Sequence, residues 1–194
     1  MRTFKEFQFL NESDGFLTSE ESIHEVCKKY GIKDYQIVDG KVNVEGDVYL
    51  FRKNLTRLPV RFGIVKGHFW CYNNELTSLK GGPKTVGGDF NCSNNKLSSL
   101  EGCPKTVGDS FYCFKNKLTS LEGCPETVDK DFDCYENNLT SLEGGPETVG
   151  GSFDCSDNKL ISIKRIPKIG REFVYHNNPI PKILDSGQKS GVLS

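Results

Sequence analysis

From residue 48 onward, apolar side chains recur at fixed positions with polar ones between them, and the interval is 21 residues. Leu55, Leu76, Leu97, Leu118, Leu139 and Leu160 mark it, followed three residues later by Leu58, Leu79, Leu100, Leu121, Leu142 and Ile163. Phe69, Phe90, Phe111, Phe132 and Phe153 keep the same interval, as do Cys71, Cys92, Cys113, Cys134 and Cys155. Pro83, Pro104, Pro125 and Pro146 repeat with it, and so do Val86, Val107, Val128 and Val149. Asn74, Asn95, Asn116, Asn137 and Asn158 complete the frame. The last unit is one residue shorter, so Phe173, Tyr175, Asn178 and Ile180 continue the series at 20. Upstream, Val48 and Leu50 occupy the Phe and Cys slots of a degenerate first unit, with Lys53 where Asn would fall.

Each unit reads F-x-C-x-x-N-x-L-x-x-L-x-G-x-P-x-x-V. Period two in F-x-C sends both side chains to one face of a short strand. The Asn follows where the chain must leave that strand, and its amide is suited to backbone groups that a bend leaves unpaired. L-x-x-L fills the core, Gly and Pro shape the return, and Val closes the turn. No unit buries its own apolar face alone, so the units must stack. At about 4.8 Å per strand, seven rungs make a rod roughly 34 Å long. The fold expected is α+β but mostly β: a right-handed solenoid of about seven rungs with a curved parallel sheet.

A different pattern precedes the repeat. Residues 19–30 place Ile23, Val26, Cys27 and Tyr30 on one helical stripe, with Thr18 and Glu21 as a capping box and Gly31 as the stop. The run 35–51 then predicts strands joined at Asp39-Gly40. Helix and hairpin would cover the open edge of the first coil, because a bare solenoid end aggregates. The expected organisation is a leader or flexible N-terminus over 1–17, a helix and hairpin cap over 18–47, a solenoid over 48–184 and a loose tail over 185–194. Pro179 and Pro181 are expected to break further pairing.

Composition narrows the functional classes. Acidic and basic residues nearly cancel, leaving a formal net charge of −1, which argues against a general nucleic-acid binder. No apolar run is long enough to span a bilayer, and no secretory signal is visible, so neither a membrane partner nor secretion is expected. Eight cysteines would suggest a disulfide framework in a secreted chain. Here five share one slot, replaced by Leu50 and Tyr175 in the outermost units, as befits small core hydrophobes. Cys103 and Cys124 alternate with Gly82 and Gly145 in another slot, and Cys27 lies outside the repeat. Without a C-x-x-C pair no metal site is expected, and all eight are read as reduced thiols. No catalytic constellation, phosphate loop or cofactor motif appears: His24, His68 and His176 are scattered, and the chain is read as no enzyme.

The positions between the inward Phe and Cys must face outward. By rung they are Tyr49 and Phe51, Trp70 and Tyr72, Asn91 and Ser93, Tyr112 and Phe114, Asp133 and Tyr135, Asp154 and Ser156, Val174 and His176. Half are aromatic against 11% of the chain. Exposed aromatics on a rigid sheet give large contact area at small entropic cost, so Tyr49, Phe51, Trp70, Tyr72, Tyr112, Phe114, Asp133, Tyr135, Asp154 and His176 are the candidate partner-binding residues. A cross-strand ladder that only stiffens the sheet is the alternative. Toward the C-terminal end the face turns acidic, with Asp131, Glu136, Asp157 and Glu172 joining Asp133 and Asp154. That suits a basic protein partner and repels phosphate, unless the charges serve solubility alone.

The pattern L-x-x-L…P…F-x-C-x-x-N-x-L resembles the leucine-rich repeat, in its short bacterial form with Pro before the strand. Phe and Cys replace the usual aliphatics, and the resemblance covers about residues 42–184. It implies a solenoid with its strands on the concave side. The units also resemble repeat proteins of large tailed bacteriophages, down to the opening segment 54–63, NLTRLPVRFG. Residues 1–13, MRTFKEFQFLNES, resemble the capsid-targeting leaders of T-even-like phage head proteins, which are cut after an L-x-E tripeptide. Leu10-Asn11-Glu12-Ser13 fits, with processing expected between Glu12 and Ser13. A frayed leader or a strand on the cap is the alternative. Bacterial effectors with similar repeats carry a separate ubiquitin-ligase domain, for which the residues after 184 leave no room. These resemblances imply a monomeric, non-catalytic protein-interaction module of the host-cell cytoplasm, carried in the phage head before injection if the leader is real and countering host defence. A structural virion component, or a repeat scaffold without a specific host target, are the other readings.

Overall fold

The structure, a computed structural model, describes residues 15–181 and 192–193. It is a β-solenoid with one short helix, built from two eight-stranded sheets that face each other across a shared core. The first sheet stacks Val48–Tyr49, Phe69–Trp70, Phe90–Asn91, Phe111–Tyr112, Phe132–Asp133, Phe153–Asp154 and Phe173–Val174 in parallel. Each Phe lies opposite the Phe of the neighbouring coil, so the 21-residue interval becomes a register of zero slip. Val48 does take the Phe slot of a first rung, opposite Phe69.

Inside, Phe69, Phe90, Phe111, Phe132, Phe153 and Phe173 are almost wholly buried and contact one another in sequence, Phe69 on Phe90 at 5.7 Å and Phe111 on Phe132 at 5.1 Å between ring centroids. The Cys slot runs beside them: Cys71, Cys92, Cys113, Cys134 and Cys155 are fully buried and all eight cysteines are free thiols. Burial raises the Cys71 thiol to about 12 and lifts Cys92, Cys113 and Cys134 well above the ordinary range, so none is poised as a nucleophile.

The Val slot departs from expectation. Instead of closing a turn, Thr85–Val86, Thr106–Val107, Thr127–Val128 and Thr148–Val149 are strands of a second parallel sheet. After each Pro the backbone bonds to the coil before, as where the Lys84 N–H donates to Gly63 O at 2.7 Å and the Lys105 N–H to Lys84 O at 3.0 Å. The N-terminal hairpin joins this sheet: Tyr35–Val38 pairs antiparallel with Lys41–Val44, which pairs in parallel with Phe62–Val65. Asp39 and Gly40 both adopt positive φ (50° and 68°), as the two-residue hairpin turn requires.

The helix spans Glu20–Tyr30, with Ile23 and Cys27 buried. Its cap is Ser19, not Thr18: Ser19 is extended and its side chain accepts the Ser22 N–H, so the expected Thr18–Glu21 box does not form the helix start. Gly31 ends it in the left-handed region, as expected. Phe16 and Leu17, at the end of the segment expected as a leader or flexible N-terminus, are buried. At the other end Val192–Leu193 pairs antiparallel with Phe173–Val174, so part of the expected loose tail closes the first sheet. The proposed cleavage residues Glu12 and Ser13 lie outside the described residues.

Candidate functional site

Three repeating devices fix the backbone of the first sheet and so set the geometry of its outer face. Asparagine supplies the first. Asn95 Oδ1 accepts the Leu76 N–H of the preceding coil at 3.0 Å, while Nδ2 donates to Cys71 O of that coil at 3.0 Å and to Cys92 O of its own at 3.1 Å. Asn74, Asn116, Asn137, Asn158 and Asn178 do the same, and each amide therefore links two coils. In the unit where Lys53 replaces Asn, its backbone N–H donates to Asn74 Oδ1 at 2.9 Å.

Just before that Asn, every coil turns through a left-handed residue: Arg52, Asn73, Asn94, Lys115, Glu136, Asp157 and Asn177, all with φ between 50° and 55°. The third device stands just before the strand. Asp47 Oδ1 accepts the His68 N–H (2.7 Å), His68 Nδ1 the Asp89 N–H (2.9 Å) and Asp89 Oδ1 the Ser110 N–H (3.0 Å). Ser110 Oγ then accepts the Asp131 N–H (3.3 Å), and Asp131 Oδ1 the Ser152 N–H (2.8 Å). Each side chain thus receives the N–H of its counterpart one coil on. Sequence reading missed this row because its residue types differ and only their accepting role is shared.

Two residues of this row, with Asp109 beside it, form the grouping of metal-capable side chains found among the described residues. His68, Asp89 and Asp109 bring one donor atom each within 4.8 Å of one another. His68 Nδ1 and Asp89 Oδ1 already accept backbone N–H groups, and Asp109 Oδ1 lies 2.7 Å from Lys130 Nζ.

On this frame the outward positions form distinct patches. Tyr49, Phe51, Trp70 and Tyr72 make one aromatic cluster, with Tyr49 and Trp70 rings 5.2 Å apart and Phe51 stacked on Tyr72 at 4.9 Å. His68 extends it, 5.3 Å from the Trp70 ring, and the Tyr49 hydroxyl donates to Asp47 Oδ2 at 2.6 Å. That hydrogen bond chiefly holds the Asp47 carboxyl below its usual range. Next comes a rung without rings, where Ser93 is buried and donates to Asn91 Oδ1. A second cluster follows, with Phe114 stacked on Tyr135 at 4.5 Å and Tyr112 edge-on to Phe114 at 6.4 Å.

Beyond it the face becomes acidic, more narrowly than the sequence suggests. Asp131 is engaged by Ser152, Asp157 accepts from Asn177 Nδ2 at 2.9 Å, and Ser156 is buried with its hydroxyl donating to Asp154 Oδ1 at 2.5 Å. Asp133 and Asp154 remain side by side in register. Burial, followed by the charges of Asp154 and Asp131, lifts the Asp133 carboxyl to about 7. His176 is exposed on the last complete rung.

Cations gather elsewhere. Beside the second sheet, Lys41, Arg61, Lys80, Lys84 and Lys105 rim a groove of about 450 Å³ with Phe16 and glycine backbone in its lining. No helix of the described residues is long and apolar enough to cross a membrane. No protein-family model matches the chain, and no curated protein matches it.

Proposed function

We propose that the chain is a non-catalytic protein–protein interaction module of a short leucine-rich-repeat type, encoded by a bacteriophage, which binds a host or phage protein through the outer face of the first sheet. The observation that carries this reading is the pair of aromatic clusters on that face. The core is complete without them, since the inner Phe and Cys rows are already buried. Tyr49 is 45% exposed, and the other rings of both clusters are partly exposed on a backbone tied at every coil. Rings presented this way lose little entropy on contact and are typical of interface hot spots. The cysteines, by contrast, are taken up by the core and need no function of their own.

The test is affinity purification during infection, comparing wild type with a Trp70→Ala/Tyr72→Ala/Tyr112→Ala chain. Recovery of the same partner at the same yield by both sinks the reading. A folded triple variant that loses a partner held by the wild type supports it.

A second reading, as a structural virion component, is favoured by Leu10-Asn11-Glu12-Ser13 and its resemblance to a processed head-protein leader. The two combine if the module is packaged, injected and then acts in the host cytoplasm. Mass spectrometry of purified virions tests packaging: a peptide beginning at Ser13 supports it, and absence of the chain from virions removes it.

A further inference from the structure

The two ends of the outer face differ in chemistry, and the acidic end specifies a ligand more closely than the aromatic one. Tyr112, Asp133 and Asp154 sit at one register position on three successive parallel strands, about 4.8 Å apart as neighbouring strands lie. Tyr135 stands two residues beyond Asp133 on the same side. Both carboxylates are partly buried. Asp154 holds the Ser156 N–H and hydroxyl through one oxygen. The Asp133 carboxylate has no hydrogen-bond or ion-pair partner among the described residues.

Among the described residues, the lysines on the neighbouring coils are already paired. Lys115 pairs with Glu136 at 3.3 Å and lies 6.0 Å from the Tyr135 ring centroid, and Lys130 pairs with Asp109 at 2.7 Å. The remaining charged or titratable groups among the described residues on the elements around Asp133 are Asp131, Asp157, Tyr112, Tyr135 and, one coil on, Arg171, Glu172 and His176. The balance is negative. Two adjacent carboxylates beside aromatic faces, neither ion-paired to a cation among the described residues, are complementary to a cationic side chain arriving from outside. Phosphate would be repelled at the same place.

We propose that Asp133 and Asp154, flanked by Tyr112 and Tyr135, form a subsite for one lysine or arginine side chain of a basic segment of the protein partner. This rests on the reading that the outer face binds protein, and it adds where the partner's charge is held. Regulation by pH follows. Near neutrality Asp133 is shared between protonated and ionised forms, because its carboxyl stands at about 7. A cation needs the ionised form, so its arrival expels a proton.

A fluorescent hexa-arginine peptide is a suitable probe, titrated into the full chain at low salt and followed by anisotropy. Affinity is expected to rise about tenfold from about pH 6 to about pH 8, the change set by ionising one group near 7. Asp133→Asn is expected to abolish that pH dependence. Asp133→Asn/Asp154→Asn is expected to weaken binding about tenfold at pH 8, the effect of losing a partly desolvated charge pair. Glu101→Gln, which removes an exposed carboxylate outside the face, is expected to leave peptide binding unchanged, and circular dichroism checks that each variant is folded. Equal binding by the wild type and the folded double Asn variant, or no binding of hexa-arginine at all, overturns the subsite. Either result leaves the aromatic reading standing, because Trp70 and Tyr72, changed in the infection experiment, lie outside the subsite and only Tyr112 is shared.

Discussion

Removing the amide of Asn116 tests the account of how the coils hold together. Asn116 Oδ1 accepts the Leu97 N–H at 3.0 Å, and Nδ2 donates to Cys92 O and Cys113 O at 3.1 Å and to Phe114 O at 3.3 Å. These contacts are not equal. Cys92 O also accepts from Asn95 Nδ2, Cys113 O from Asn137 Nδ2 and Phe114 O from the Asn94 N–H, so all three carbonyls keep a partner in Asn116→Ala. Only the Leu97 N–H is orphaned. An orphaned buried donor costs about 1–3 kcal/mol, and loss of the secondary bonds adds roughly 1 kcal/mol, for about 2–4 kcal/mol in all. Urea unfolding followed through the single tryptophan, Trp70, and through far-ultraviolet circular dichroism measures this. Because each repeat contacts only its neighbours, a weakened joint should also separate the two signals, with Trp70 reporting the N-terminal coils.

Asn116→Asp sharpens the test. A carboxylate keeps the Leu97 bond but turns acceptor oxygen toward Cys92 O and Cys113 O. The folded chain then favours the protonated acid, raising the carboxyl above its unfolded value. Stability is therefore greatest at low pH and falls as pH rises toward the folded value. Asn116→Asp should be less stable than Asn116→Ala at about pH 8 and should recover on acidification, because only the protonated acid can donate to the carbonyls. A loss below about 1 kcal/mol for the Ala variant, or an Asp variant matching wild type at pH 8, would refute the bridging role.

Three further outcomes follow from the same geometry. The eight thiols should be silent to a thiol reagent in the native chain and titrate in full after unfolding, since all are buried and burial raises those in the core row. Asp133 keeps its proton in the folded chain up to about 7, whereas an unfolded carboxylate loses it near 4. The folded state thus binds more protons in that window and stability falls as pH climbs through it. Asp133→Asn should remove the slope and stabilise by about 1–2 kcal/mol at pH 8, allowing for solvent screening of a partly exposed group, as read by urea titrations across pH. Glu136 adopts φ 50°, where asparagine is better tolerated. Glu136→Asn should raise stability by about 0.5–1 kcal/mol in thermal melts, and the exposed Lys115 pair it gives up is worth little.

Most of the first sheet was legible because its signal lies in residue identity. Leu, Phe, Cys and Asn recur at one interval, and period two assigns inward and outward sides at once. The hairpin was legible for the same reason, since Asp39-Gly40 is a turn signature on its own. The second sheet was not, because Thr-Val strands only two residues long, placed after Gly and Pro, carry turn chemistry and no alternation. The left-handed corner escaped too: Arg52, Lys115 and Glu136 share a backbone conformation that their side chains do not advertise. Of the candidate face, the outward positions could be read but not their depth. Ser93 and Ser156 proved buried, and Asp131 proved to be a backbone acceptor. A hydrogen-bond partner one coil away is invisible to any pattern that compares residue types.

A frame of this kind separates spacing from chemistry. Asn amides, corner residues and the accepting row before each strand hold successive rungs at the distance of paired strands, whatever stands in the outward slots. Substitution there alters the chemistry the face presents without moving its neighbours. Placing rings on the first two rungs, polar residues on the third, rings again on the fourth and fifth and carboxylates on the fifth and sixth therefore gives the face a linear order of chemistries. The Asn91/Ser93 rung is informative in that order. A ladder serving only to stiffen the sheet gains most from continuity, because stacking is made between adjacent strands. Interrupting it at the third rung gives up stacking on both sides, with Tyr72 and Phe114 each left one neighbour short. Stiffening alone does not explain the break, whereas a partner that seats apolar groups on two platforms and a basic group beyond them would use it.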